Sequence, residues 1–256
     1  MFSHESRCEY RCNQLAEVIC QLRFPEILTI GTTVPDRFQE AIRMEFPGFS
    51  RRMENPAPKF AGNPTLQKQE PTVNYQFTSA DGIWRVNLTS KFISLACSKY
   101  TSWEDFAGKL DMPLAAFIKI YKPAYFERVG LRYINFISRG DLGIPTTAFR
   151  ELIEPCYLGL LAEEEIQETA CTRSSLDTEI SIRGGCRAKI HAGPGLVTRN
   201  GQRDKEVKFI FDQDLYMPGQ VPVNLSAGAL ETLHSQAWSI FRGAITRKLH
   251  EALEPK

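Results

Sequence analysis

Apolar and polar residues alternate with a period of two over several stretches of this chain, and turn residues bound each stretch. Trp84, Val86 and Leu88 alternate with Arg85, Asn87 and Thr89, the pattern of a strand with one covered face. In 125–137, Val129, Leu131 and Tyr133 alternate with Arg128, Gly130 and Arg132, which predicts one long strand. Further strands are predicted over Ala16–Phe24, Val73–Thr78, Phe92–Tyr100 and Lys205–Tyr216. Asp81-Gly82 signals a hairpin, and Asn200-Gly201 a chain reversal.

Elsewhere the apolar period lengthens to that of a helix. Phe38, Ala41, Ile42 and Phe46 recur after Pro35, predicting a helix that ends at Pro47-Gly48. Ser102 and Asp105 form a capping box ahead of the stripe Trp103, Phe106, Leu110, Leu114, Phe117, Ile118 and Tyr121. Pro113 predicts a kink, or a second helix beginning after Asp111. Leu230, Leu233, Ala237, Ile240, Phe241, Ile245, Leu249 and Leu253 predict a long closing helix capped by Ser226. Between 140 and 200 the pattern predicts a short helix near Thr147–Ile153. Extended segments should follow at 157–162, 165–173, 177–183 and 186–192. Residues 47–71 carry five prolines and Arg51-Arg52, so a long functional or mobile loop is expected there. Gly184-Gly185 and Gly193-Pro194-Gly195 are expected at turns, and Glu163–Glu165 on a solvated face or at a turn.

Strands in antiparallel runs with helices set apart predict the α+β class. The expected architecture is antiparallel sheets with segregated helices, closed by a long C-terminal helix. The similar order of elements on either side of Gly140 suggests two tightly packed halves, 1–140 and 141–256. Each would repeat a β-α-β-β-β-α topology.

Composition narrows the function classes. The chain has 256 residues, 43% hydrophobic and 24% charged, enough to fold without metal or disulfide. Its 31 basic and 30 acidic residues give a net charge of +1, not the excess that non-specific phosphate binding favours. No run approaches the roughly 18 apolar residues of a membrane span, and the polar N-terminus does not read as a secretory leader. A reducing cytoplasm is the expected compartment. The seven cysteines are odd in number, scattered and without a CxxC pair, as expected of free thiols.

Candidate chemistry is sparse. His4, Cys8 and Cys12 recur at intervals of four, one helix face, yet a tetrahedral zinc site needs a fourth ligand. Asp212 and Asp214, with Glu206 upstream, share a strand face and could hold Mg²⁺ or exchange protons. The competing reading is the solvent face of a strand, since Phe209, Phe211 and Leu215 take the other side. His191 and Cys186 would pair only if strands brought them together, and no nucleophile motif accompanies His191, His234 or His250. Arg85, Arg128 and Arg132 would form a guanidinium cluster if their strands pair; internal ion pairs to Glu127 or Glu17 compete with that. No cofactor-binding loop is present in the sequence, and none is expected to bind. The ionic residues are therefore expected to dissolve and brace the fold, with no reactive constellation among them.

The string Val129-Gly-Leu-Arg-Tyr-Ile-Asn135 resembles the central motif of a sporadically distributed family of uncharacterised bacterial proteins of similar length. Glu17–Phe24, Phe46-Pro47, Trp84-Arg85, Phe211–Asp214, and Leu233-His234 with Phe241 and Ile245-Thr246 extend the likeness over most of the chain. The resemblance implies no particular chemistry. It implies a gene of patchy occurrence, like those carried in mobile or antiviral defence cassettes, and a product that works beside co-encoded partners.

Together these features predict a non-catalytic interaction or regulatory protein, with protein partners that include a second copy of itself. Arg51, Arg52 and Phe60, with any uncovered apolar face of the last helix, are the candidate contacts. One alternative is nucleic-acid binding through Arg85, Arg128 and Arg132. The other is a metal-dependent hydrolase centred on Asp212 and Asp214. No membrane association is expected.

Overall fold

The computed structural model describes residues 2–54, 72–199 and 201–256. Among the described residues, nine strands form one antiparallel sheet: β1 (Leu15–Arg23), β2 (Gly48–Glu54), β3 (Thr72–Thr78), β4 (Trp84–Leu88), β5 (Phe92–Cys97), β6 (Phe126–Ile137), β7 (Leu176–Ser181), β8 (Arg187–Arg199) and β9 (Gln202–Val221). They lie in the order β2-β3-β4-β5-β1-β6-β9-β8-β7. Among the described residues the α-helices are α1 (Leu28–Thr32), α2 (Asp36–Ile42), α3 (Trp103–Tyr121), α4 (Ser226–Ala244) and α5 (Arg247–Ala252). The α+β class expected from the alternating runs is thus the class observed, with one sheet in place of several.

The chain divides into two compact units, each discontinuous in sequence. One comprises residues 19–129 and 219–226. Here Trp84, Val86 and Leu88 of β4 pair with Cys97, Leu95 and Ile93 of β5, and all six are buried. Against that face pack Phe106 of α3, 5.8 Å from Trp84, and Phe38 of α2, 5.4 Å from Phe77. Phe24 and Phe117 meet at 4.6 Å, within the range at which aromatic pairs add to simple burial. Ser102 accepts from the Asp105 amide at 3.1 Å, as its capping position requires. α3 then runs through Pro113 as one helix, not two. Proline cannot donate to the preceding turn, but its ring is buried beside Phe106, Leu110 and Phe117 on the helix's inner side. Cys20 is wholly buried here, and that burial pushes its thiol pKa up to about 12, so it serves as a small apolar residue.

The other unit comprises residues 1–18, 130–218 and 227–256. Phe209, Phe211 and Leu215 of β9 are buried, with Phe211 against Phe241 of α4 and Tyr157. The expected long C-terminal helix is present as α4, but it ends at Ala244, and Thr246 opens the separate short α5 by accepting from the Leu249 amide. Ser226 does not cap α4; its hydroxyl donates to the Val223 carbonyl at 2.8 Å. The predicted helix near 147–153 and the segments at 157–162 and 165–173 are instead short 3₁₀ turns. Burying Tyr157, Leu158 and Leu161 together needs compact turns that an extended backbone cannot supply.

Two further expectations are corrected. Residues 48–54 of the expected loop form β2, paired with β3 from Gly48↔Thr78 to Glu54↔Thr72; residues 55–71 lie outside the described residues. Gly193-Pro194-Gly195 is not a turn but lies inside β8. Its other neighbour, β7, reaches only as far as Ala192. Beyond that point β8 is an edge on that side, where proline is tolerated.

Candidate functional site

β6, β9, β8 and β7 lie side by side, and their registers stack charged residues in rows. Asp212 of β9 is opposite His191 of β8, which is opposite Asp177 of β7. One row over, Asp214 is opposite Lys189, and Lys189 opposite Glu179. Residues two apart on a strand share a face, so both rows emerge on the side away from Phe209, Phe211 and Leu215. Together with Arg132 they line a shallow, solvent-open depression of about 460 Å³.

Asp212, Asp177 and Glu179 are each engaged by side chains of a neighbouring strand. Arg132 grips Asp212 with two prongs, Nε to Oδ1 at 2.8 Å and Nη2 to Oδ2 at 2.5 Å. This hydrogen bond to Asp212 holds the guanidinium charged more firmly than usual, with burial opposing it and Asp214 and Glu17 adding to it. His191 Nδ1 lies 2.7 Å from Asp177 Oδ1, which fixes the ring and leaves Nε2 for another partner. Glu179 accepts from the Tyr216 hydroxyl and receives Lys189 at 3.6 Å and Arg187 at 3.7 Å. The Tyr216 hydroxyl, aided by those two cations, holds the Glu179 carboxyl below its ordinary value. The sequence supplied Asp212, Asp214 and Arg132; Asp177, Glu179, Lys189 and Tyr216 emerge only from the register.

Asp212, Asp214 and His191 thus line one depression, which is shallow and open to solvent. Chemically it offers an imidazole oriented by a carboxylate, with Arg132 and Lys189 lining the same depression. Among the described residues no group of three or more His, Cys, Asp or Glu side chains is placed to hold a metal ion, and the carboxylate of Asp212 is held by Arg132.

The remaining candidates separate. Arg132 finds its ion-pair partner in Asp212, not in Glu127. Arg85 lies on β4, opposite Ala96 and Thr78, and Arg128 on β6; neither lines the depression. His191 and Cys186 do not pair, since the Cys186 thiol is buried near the Gly184 carbonyl, at 3.7 Å. The residues from His4 to Cys12 are not helical, so their four-residue interval does not align three ligands. Glu163–Glu165 are exposed at a turn, as their composition suggested.

Arg51 and Arg52 are both exposed on β2, the terminal strand of the sheet; Phe60 lies outside the described residues. Phe49 and Met53 on the same strand are 49% and 58% exposed, and Met44, shortly before it, 90%. Phe49 stacks near Tyr75 at 6.4 Å, and the Arg51 guanidinium sits 5.9 Å from the centre of that ring. This is a mixed apolar and basic surface at a strand edge. No helix of the described residues is long and apolar enough to cross a membrane. No protein-family model matches the chain, and no curated protein is significantly similar to it.

Proposed function

We propose that this chain is a non-catalytic interaction protein that binds a protein partner through β2. The observation that carries this reading is the terminal position of β2 together with the exposure of Phe49, Met53, Arg51 and Arg52 along it. Partly exposed large apolar groups rimmed by arginines are the composition of a binding patch. The reading also takes up the resemblance of the Val129–Asn135 motif, with its implication of partners encoded nearby in a mobile or defence locus. The test is affinity capture of the tagged chain at native abundance from cells that naturally make it. A stoichiometric partner that is lost from the F49T/M53T variant supports the reading. Recovery of no partner, or of one that the variant still holds, removes it.

A second reading attaches to the depression beside β8. Asp177 orients His191 as an orienting carboxylate does in acid–base catalysis, and Arg132 and Lys189 flank it. The activity this supports is metal-independent proton transfer to or from a bound polar substrate. A panel of phosphate and carboxylate esters tests it, and turnover abolished by His191→Gln would support it. No turnover on any of them removes it.

A further inference from the structure

We infer that the partner of β2 is an acidic extended segment that adds to the sheet as a tenth strand. This rests on the interaction reading above and specifies the chemistry of the occupant. A terminal strand presents a row of backbone N–H and C=O groups to whatever lies beside it, and proteins usually blunt such edges with proline, bulges or very short strands. β2 has none of these. It is seven residues long, Gly-Phe-Ser-Arg-Arg-Met-Glu, contains no proline and pairs with β3 residue for residue without a register shift. Among the described residues no strand lies on its other side. Among the described residues, what guards it is charge.

The guard is selective. Two copies of β2 set antiparallel about a two-fold axis at Arg51 would bring the two Arg51 guanidinium groups directly opposite each other on one face, and like charges across strands repel. A basic strand is rejected for the same reason. An acidic strand is not.

The faces of β2 specify the order of side chains. Phe49, Arg51 and Met53 are opposite Phe77, Tyr75 and Val73 of β3, whereas Ser50 and Arg52 are opposite Gln76 and Asn74. Tyr75 and Phe77 are buried, so the first set flanks the apolar side of the sheet and the second the polar side. A strand laid antiparallel along the free edge therefore needs an apolar residue opposite Met53 and an acid opposite Arg52. It needs a second acid opposite Arg51, a small polar residue opposite Ser50 and an apolar residue opposite Phe49. The motif is apolar–acid–acid–polar–apolar. Backbone hydrogen bonds give such an interface its affinity, and side-chain pairs its specificity.

The test uses the full chain and a fluorescently labelled peptide containing Val-Glu-Glu-Thr-Val within a threonine-rich strand, followed by anisotropy. Saturable binding is expected. It should weaken about tenfold or more when both glutamates become lysine. The R51E/R52E variant, whose changes are both at exposed positions, should reverse that preference and bind the lysine peptide better. Thermal unfolding of the variant checks that it remains folded, and R51Q/R52Q, which should bind both peptides alike, serves if it does not. Absence of binding, or equal binding of both peptides by the native chain, overturns the inference. If the peptides fail while F49T/M53T still abolishes capture of the cellular partner, strand addition falls and the interaction reading stands. If capture is also indifferent to F49T/M53T, both fall.

Discussion

Arg132 and Asp212 meet across neighbouring strands in a two-pronged ion pair, and they differ in their access to water. The Asp212 side chain is 15% exposed and that of Arg132 44%. A pair held by two parallel hydrogen bonds has better geometry than an ordinary surface contact, but the open arginine is screened by solvent. In a double-mutant cycle of Arg132→Ala and Asp212→Ala, the coupling is expected at about 0.5–1 kcal/mol by urea unfolding. It should shrink at high salt. Arg132→Lys retains charge but loses the fork, and should keep less than half of it.

A pH-dependent contribution is expected at Glu206. Its Oε2 accepts from the Ser138 hydroxyl at 2.6 Å and its Oε1 from the Gly140 amide at 2.9 Å. Partial burial pushes this carboxyl up, but the two hydrogen bonds and the nearby Lys208 outweigh burial and hold it below its ordinary 4.5. A carboxyl depressed in the folded state stabilises that state fully above its unfolded value, and the contribution is lost as pH falls through the folded value. Glu206→Gln should therefore destabilise the protein by about 1–2 kcal/mol at neutral pH. The gap between the two proteins should narrow as pH falls below 4.5 and through the depressed folded value. Equilibrium unfolding at pH 7 and pH 3.5 checks this, and a gap that does not narrow in acid would refute it.

The strands were legible in the sequence because period-two alternation is a local signal. Trp84/Val86/Leu88 and Val129/Leu131/Tyr133 stand in β4 and β6 as their spacing requires. β2 was not legible. Gly48–Glu54 has exposed Phe49 and Met53 beside Arg51 and Arg52, the mixed character of an edge strand, and the prolines that follow draw the reading towards a loop. The candidate site was half legible for a different reason. Asp212 and Asp214 announce themselves on one strand, but their convergence with His191 and Asp177 depends on register, which is set by pairings between segments far apart in sequence. The break between α4 and α5 was hidden because the apolar stripe continues through Ile245, which bridges to Ile153 and pulls the backbone out of the helix.

Two glycines of β8 should differ sharply in tolerance. A Cβ at Gly193 would stand 2.5 Å from the Ser174 carbonyl oxygen and 3.1 Å from the Ser175 Cα, both backbone atoms. At Gly195 the nearest atom is the terminal Cδ1 of Ile210, at 2.8 Å, which can rotate away. Gly193→Ala should cost about 1–3 kcal/mol, as forced overpacking does, and Gly195→Ala under ~1 kcal/mol, with thermal unfolding as the readout. Equal costs would mean that the crossing at Ser174 yields freely.

The N-terminal residues act as a strap along α4 and α5. Ser3 exchanges hydrogen bonds with Ser239, Trp238 donates its indole N–H to the Glu5 carbonyl at 3.1 Å, and Arg242 pairs with Glu5 at 2.8 Å. Tyr10 lies against Trp238 and its hydroxyl is 2.9 Å from His250 Nδ1. Arg7 touches Nε2 of His234. A guanidinium has only donors, so Nε2 must present a lone pair and the ring proton sits on Nδ1. That proton is given to the Tyr133 hydroxyl oxygen at 2.6 Å. Tyr133→Phe removes this acceptor inside the unit, where His234 is 9% exposed, and should destabilise by about 1–3 kcal/mol. Arg7→Ala removes an exposed residue and should cost less, within about 1 kcal/mol. Deleting residues 2–12 should do more than either, uncovering Trp238 and shifting its emission to the red. Trp84 and Trp103, 8% and 5% exposed, stay covered, so the shift reports the strap alone. An unchanged emission spectrum would mean that the strap does not shield α4.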